Sequence, residues 1–178
     1  MSKEVLNAQQ NHLSNQLEAI QRCVFFLEAS RCKLSWPLEA EEILLRKRDI
    51  NLFEALAAIN ERFSKLQDIL GAAMRHAALL AVEPVDTFLK VLSFYEKLGV
   101  IQSVATWQLY RTIRNLAAHD YETDYTAVAD HFNSLHGLLP SLYGDAARFM
   151  HHCDNTLGIQ PTSLDFEEDF LTITQNRA

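Results

Sequence analysis

Between residues 52 and 80 apolar side chains recur at Leu52, Leu56, Ile59, Phe63, Leu66, Leu70, Ala73, Ala77 and Leu80. This alternation of four and three lays one continuous stripe along an α-helix. Asp49 stands where an N-cap belongs, and Glu83-Pro84 supplies the stop. About thirty residues at a rise of 1.5 Å give a rod roughly 45 Å long. A chain organised around such a rod is read as all-α. The five glycines and four prolines among 178 residues leave little turn chemistry for a sandwich of short strands.

The same spacing recurs on both sides. Leu13, Leu17, Ile20, Val24 and Leu27 define a first helix from Val5 to about Cys32, which Ser35-Trp36-Pro37 interrupts. A short polar helix fits residues 39–48. Asp86 to Leu98 presents Phe88, Val91, Leu92 and Tyr95 and stops at Gly99, a residue suited to a helix C-terminus. Ser103 caps a further helix with Trp107, Tyr110, Ile113 and Leu116 inward. Asp124 opens the last long one, through Val128, Phe132, Leu135, Leu139, Leu142, Phe149 and Cys153, with a kink expected at Pro140. The expectation is one helical domain over residues 1–157, followed by an acidic tail over 158–178. For that tail, in which Phe166, Phe170 and Leu171 lie among carboxylates, fraying is expected, with docking on a partner or mimicry of RNA as alternatives.

Charge limits the function. The net charge is −7, with −1 in residues 1–59, +2 in 60–119 and −8 in 120–178. A surface of that sign repels phosphate, so any nucleic-acid site is confined to the middle third. Cys23, Cys32 and Cys153 form no Cys-x-x-Cys pair and are read as reduced, buried thiols. No apolar run reaches the length of a membrane span and the first ten residues lack a signal-peptide core, which points to the cytoplasm and away from membranes. Gly-rich phosphate loops, His-Glu-x-x-His motifs and Ser/His/Asp orders are missing from the sequence, so no cofactor is expected.

One stretch does not read as bundle filler: Arg111-Thr-Ile-Arg114-Asn115-Leu-Ala-Ala-His119-Asp120-Tyr121. On an unbroken helix residues five apart differ by about 140°, so Arg114 and His119 converge only if the helix unwinds near His119. Asp120 to Thr123 favours unwinding, because Asp competes with the backbone for hydrogen bonds. An Arg beside a His is the minimum for metal-independent RNA cleavage. The imidazole moves a proton, the guanidinium stabilises charge on the phosphorane, and the RNA's 2′-hydroxyl attacks. One protomer offers one such His, and a two-fold dimer would bring two pairs to a shared cleft. The bland alternative is that Arg114 and His119 cap the helix or pair with carboxylates.

Arg114-Asn-Leu-Ala-Ala-His119-Asp-Tyr121 resembles the Arg-x4-His-x-Tyr motif of the HEPN superfamily, with Asn115 in the polar position that follows the Arg. The segments 62–71 and 88–101, the latter ending Glu96-Lys-Leu-Gly-Val-Ile101, resemble those that precede the motif in HepT-like toxins. The resemblance covers residues 62–121; the N-terminal sixty residues and the tail match no pattern. It implies an antiparallel four- to five-helix bundle that dimerises with the motif lining the interface cleft. It also implies a ribonuclease toxin, silenced when an MntA-like nucleotidyltransferase antitoxin adds AMP to the motif tyrosine. By this likeness Arg114 and His119 are catalytic with Asn115 orienting one of them, and Tyr121 is the modified residue. Arg111 and Lys97, with Lys90 and Arg75, would extend an RNA-binding surface. The superfamily also includes substrate-binding partners of nucleotidyltransferases, which gives a non-catalytic alternative over the same residues.

Other candidates read blandly. His151-His152-Cys153-Asp154 invites a metal, but neighbours on a helix diverge by about 100°, and His131 and His136 are five apart, so no metal site is expected. Arg46-Lys47-Arg48 follows Glu39, Glu41 and Glu42 and reads as a solvated face. Trp36 and Trp107 are expected to pack.

Overall fold

The computed structural model describes residues 3–83, 86–115 and 123–175, and all regular structure among them is helical. Three long helices set the frame: α1 (Lys3–Arg31), α3 (Ile50–Leu80) and α6 (Tyr125–His152). Four shorter ones complete it, α2 (Ala40–Leu45), α4 (Phe88–Lys97), α5 (Val104–Asn115) and α7 (Glu167–Gln175).

Cross-helix bonds fix the directions. His76 Nε2 lies 2.9 Å from Gln9 O, whereas Cys23 Sγ donates to Arg62 O at 3.4 Å and Arg62 Nη1 donates to Phe26 O at 3.1 Å. Numbers rise along α1 as they fall along α3, so the two helices are antiparallel. α4 folds back on α3, with Tyr95 Oη donating to Met74 O at 3.0 Å. The segment leading into α2 is held to α6 by Asn133, whose amide accepts from Leu38 N at 2.8 Å and donates to Leu38 O at 2.9 Å. The stripe residues of α1, α3 and α6 converge in one core, joined by Trp107, Tyr110, Tyr95 and Tyr143.

The caps follow from local chemistry. Asp49 Oδ1 accepts from Leu52 N at 3.2 Å, Ser103 Oγ from Thr106 N at 2.9 Å, and Asp124 Oδ1 from Thr126 N at 3.0 Å and Ala127 N at 3.2 Å. The cap of α4 is Thr87, one residue later than the expected start at Asp86, because its hydroxyl reaches Lys90 N at 3.3 Å while Asp86 instead pairs with the Lys90 ammonium. α6 continues through Pro140 as one helix and passes into a π-helical turn, Cys153–Leu157, that ends at Gly158 with φ 64°.

Two helices end in a reversal of one kind. Val100 N donates to Tyr95 O and Gly99 N to Glu96 O, with Gly99 at φ 68°. At the end of α3, Glu83 N donates to Ala78 O and Val82 N to Leu79 O, with Val82 at φ 59°. This is the Schellman pattern, in which the left-handed residue normally lacks a Cβ. Pro84, the expected stop of this helix, lies outside the described residues, as does Leu116.

The acidic segment beyond Gly158, for which fraying is the sequence expectation, is folded as far as residue 175. Thr162 Oγ1 donates to Asn15 at 2.7 Å, and Thr162 N donates to Ser14 O at 3.3 Å, which returns the chain to α1. α7 then lies against α1 and α6 with Phe170 only 2% exposed, and Phe166 packs its ring 5.5 Å from that of Phe25. The carboxylates that suggested a tail occupy the outer face of an amphipathic helix. The cysteines divide as well. Cys23 and Cys153 are shielded, and burial pushes both thiols up to about 12, whereas Cys32 is exposed next to Glu28 and Arg31, contrary to the expectation of three buried thiols. Among the described residues no helix is long and apolar enough to cross a membrane.

Candidate nucleic-acid interface

The packing of α5 on α3 follows from two helical registers. On α3, Asp68, Gly71, Ala72 and Arg75 stand at i, i+3, i+4 and i+7; on α5, Trp107, Arg111 and Arg114 stand at i, i+4 and i+7. Each set shares one face. The two faces line a cleft of about 450 Å³, with Phe88 from α4 as a third wall. The arginines of the middle third therefore meet: Arg75 enters from α3, and Arg111 and Arg114 from the last turns of α5.

Gly71 makes the close approach possible. A Cβ there would lie 3.1 Å from Phe88 Cζ and 3.3 Å from Trp107 Cζ2, so a larger residue would push both rings outward. The two rings sit edge to face with centroids 6.1 Å apart. Trp107 is buried, as expected, and Trp36 stacks on His136 at 4.2 Å.

Arg114 is held by two partners on α3. Nη1 donates to the Asp68 carboxylate and, at 3.4 Å, to Gln67 Oε1. Gln67 is buried and spends its own amide hydrogen on Trp107 O at 3.3 Å. A buried polar side chain therefore ties the guanidinium to the backbone of α5. Sequence reasoning passed over Gln67, yet a Gln within a continuous apolar stripe is the pattern that marks an inward amide. Neither Arg75 nor Arg111 has a carboxylate partner among the described residues. With Asp68 set against three guanidiniums, the lining carries a formal charge of +2.

The other expected residues divide. Asn115 is the last residue of α5 and is exposed. Lys97 ends α4 and does not line the cleft, and Lys90 is occupied with Asp86. His119, Asp120 and Tyr121, and with them the expected convergence of Arg114 with His119, lie outside the described residues.

A second polar centre was not singled out by sequence. Asp145 on α6 is 0% exposed and accepts from Gln102 N at 2.9 Å, from Tyr110 Oη at 3.1 Å and from Arg148 at 2.5 Å. Burial pushes its carboxyl up to about 6, against the opposing pull of those donors. It locks the start of α5 to α6 and so sets where the cleft wall stands. Among the histidines, His152 is half-buried against the Tyr95 ring, and burial lowers its pKa; His151 bonds Asn155 at 2.7 Å, and His131 is buried beside Asn60. Among the described residues no group of three or more His, Cys, Asp or Glu side chains is placed to hold a metal ion. Arg46 of the basic triplet pairs with Glu42 and Asp49.

Comparison with family models, with curated proteins and with solved structures finds no match for this chain.

Proposed function

We propose that the chain is a metal-independent RNA endonuclease that works as the toxin of a toxin–antitoxin pair, as its resemblance to HepT-like proteins implies. The observation that carries this reading is the gathering of Arg75, Arg111 and Arg114 around one cleft in a chain whose net charge is −7. Local positive charge on an otherwise repulsive surface is what a phosphate-binding site in this chain requires. The cleft sits at the end of α5, from which the sequence runs directly into Leu116-Ala117-Ala118-His119-Asp120-Tyr121.

In this reading Arg114 binds the scissile phosphate, Gln67 holds its side chain ready, and Asp68 is the counter-charge that the phosphate displaces. His119 takes the proton from the 2′-hydroxyl or returns one to the leaving oxygen, and Asn115 orients one of the pair. Two copies of the chain supply the acid and the base. A partner nucleotidyltransferase silences the enzyme by attaching AMP to Tyr121, because the added phosphate places negative charge where RNA phosphate must lie. The ion pair of Arg114 with Asp68 favours a second reading, in which Arg114 shapes a non-catalytic binding subunit of a minimal nucleotidyltransferase.

The deciding experiment is incubation of a mixed RNA pool with unmodified protein in EDTA, with His119→Ala as control. Cleavage that disappears in the variant supports the nuclease; no cleavage by either protein transfers the assignment to the binding subunit.

A further inference from the structure

The arginine cleft has a property that cleavage of an internal phosphodiester does not use. Arg75 and Arg111 lack carboxylate partners among the described residues, and Arg114 is balanced by Asp68. The residual +2 matches a dianion. An internal phosphodiester carries one negative charge, whereas a terminal phosphate monoester carries close to two at neutral pH. The volume of about 450 Å³ falls in the range of sites for single small ligands, and the wall beside the guanidiniums includes an aromatic ring, Phe88, against which a base can stack.

We propose that this cleft is a subsite for a terminal nucleotide bearing a phosphate monoester, its phosphate between Arg75 and Arg111 and its base against Phe88. The proposal rests on the RNA-binding reading above and narrows it: the chain engages strands by a phosphorylated end. Planar guanidiniums from two different helices suit this, since each can donate two hydrogen bonds to one phosphate from a different side. Gly71 lets the rings close over the floor, so the subsite has a fixed depth.

The test is binding by the intact protein of three short, internally labelled 2′-O-methyl RNA oligomers, carrying a 5′-phosphate, a 3′-phosphate or hydroxyls at both ends. The methylated sugars cannot supply the attacking hydroxyl, so binding is read apart from cleavage. One phosphorylated oligomer is expected to bind about tenfold more tightly than the hydroxyl-ended one, and which one it is identifies the end recognised. That preference is expected to vanish in both Arg75→Gln and Arg111→Gln, surface changes checked for intact helical circular dichroism. Equal affinities, no binding at all, or a preference that survives both substitutions would each overturn the proposal. Parallel digestion of ordinary RNA separates the two ideas. Cleavage without end preference sinks the subsite and leaves the nuclease, whereas end preference without cleavage keeps the subsite and removes the nuclease.

Discussion

Val82 is the strongest single test of how the helices of this chain are terminated. It occupies the left-handed position of the reversal that ends α3, at φ 59°, where its Cβ meets the carbonyl oxygen that follows. For an L-residue this costs about 1–2 kcal/mol. The side chain is 88% exposed, so removing it uncovers no core. Against the relief stands the extra freedom glycine gives the unfolded chain, about 0.4–1 kcal/mol. Val82→Gly should therefore stabilise the fold by about 1 kcal/mol, raising Tm by about 2–4 °C for a chain of this size. Urea titration should show a higher midpoint at unchanged slope. The reciprocal change, Gly99→Val, places the same side chain in the same kind of reversal at φ 68°, where nothing lies within 4 Å of the added Cβ. It should cost about as much as Val82→Gly gains, through the backbone alone. Equal stabilities across the three proteins, or a loss in Val82→Gly, would refute the reasoning.

Further outcomes concern charge and packing. The buried Asp145 carboxyl, pushed up to about 6, holds its proton more tightly folded than unfolded, so its contribution to stability is full below about pH 4 and falls as pH rises through 6. Denaturation midpoints of wild type minus those of Asp145→Asn should therefore decline between pH 4 and 7, and a flat difference would contradict the assigned environment. Asp68→Asn raises the formal charge of the cleft lining from +2 to +3 and frees Arg114; RNA should bind more tightly, and a fall in affinity would mean that Asp68 positions Arg114 rather than competes for it. Arg111→Gln should lower the slope of log K against log salt by about 0.7, the loss of one phosphate contact on a single strand, and an unchanged slope would place RNA elsewhere. Phe170→Ala should release α7 before the rest of the protein, at a cost of at most about 3–5 kcal/mol, seen as early hydrogen exchange in residues 158–175.

The long helices were legible because their stripes are uninterrupted, and the starts of α3, α5 and α6 because their caps, Asp49, Ser103 and Asp124, are local chemistry. Acidic composition outweighed periodicity at α7, where Phe166, Phe170 and Ile173 stand four and three apart; the apolar face is visible once the carboxylates are assigned to the other side. Val82 was illegible because a β-branched residue argues against the conformation it adopts. Asp145 looked like one more surface acid, since its partners Tyr110 and Gln102 are 35 and 43 residues away, brought close only by tertiary packing. For the cleft, the arginines were visible but not their grouping. Arg75 joins Arg111 and Arg114 because α3 and α5 pack at Gly71, and Lys97 falls outside because it lies at the far end of a different helix.

The return of the chain to α1 carries a consequence for its synthesis. Thr162 binds Asn15 across 147 residues. A ribosome adding roughly 5–20 residues per second needs about 7–30 s to span that interval. During that time α1 can pair with α3, made soon after it, but the side of α1 that receives Phe166 and α7 stays bare. Phe25 is thus open to chaperones, or to another nascent chain, until Phe166, whose ring packs against it, has left the ribosome.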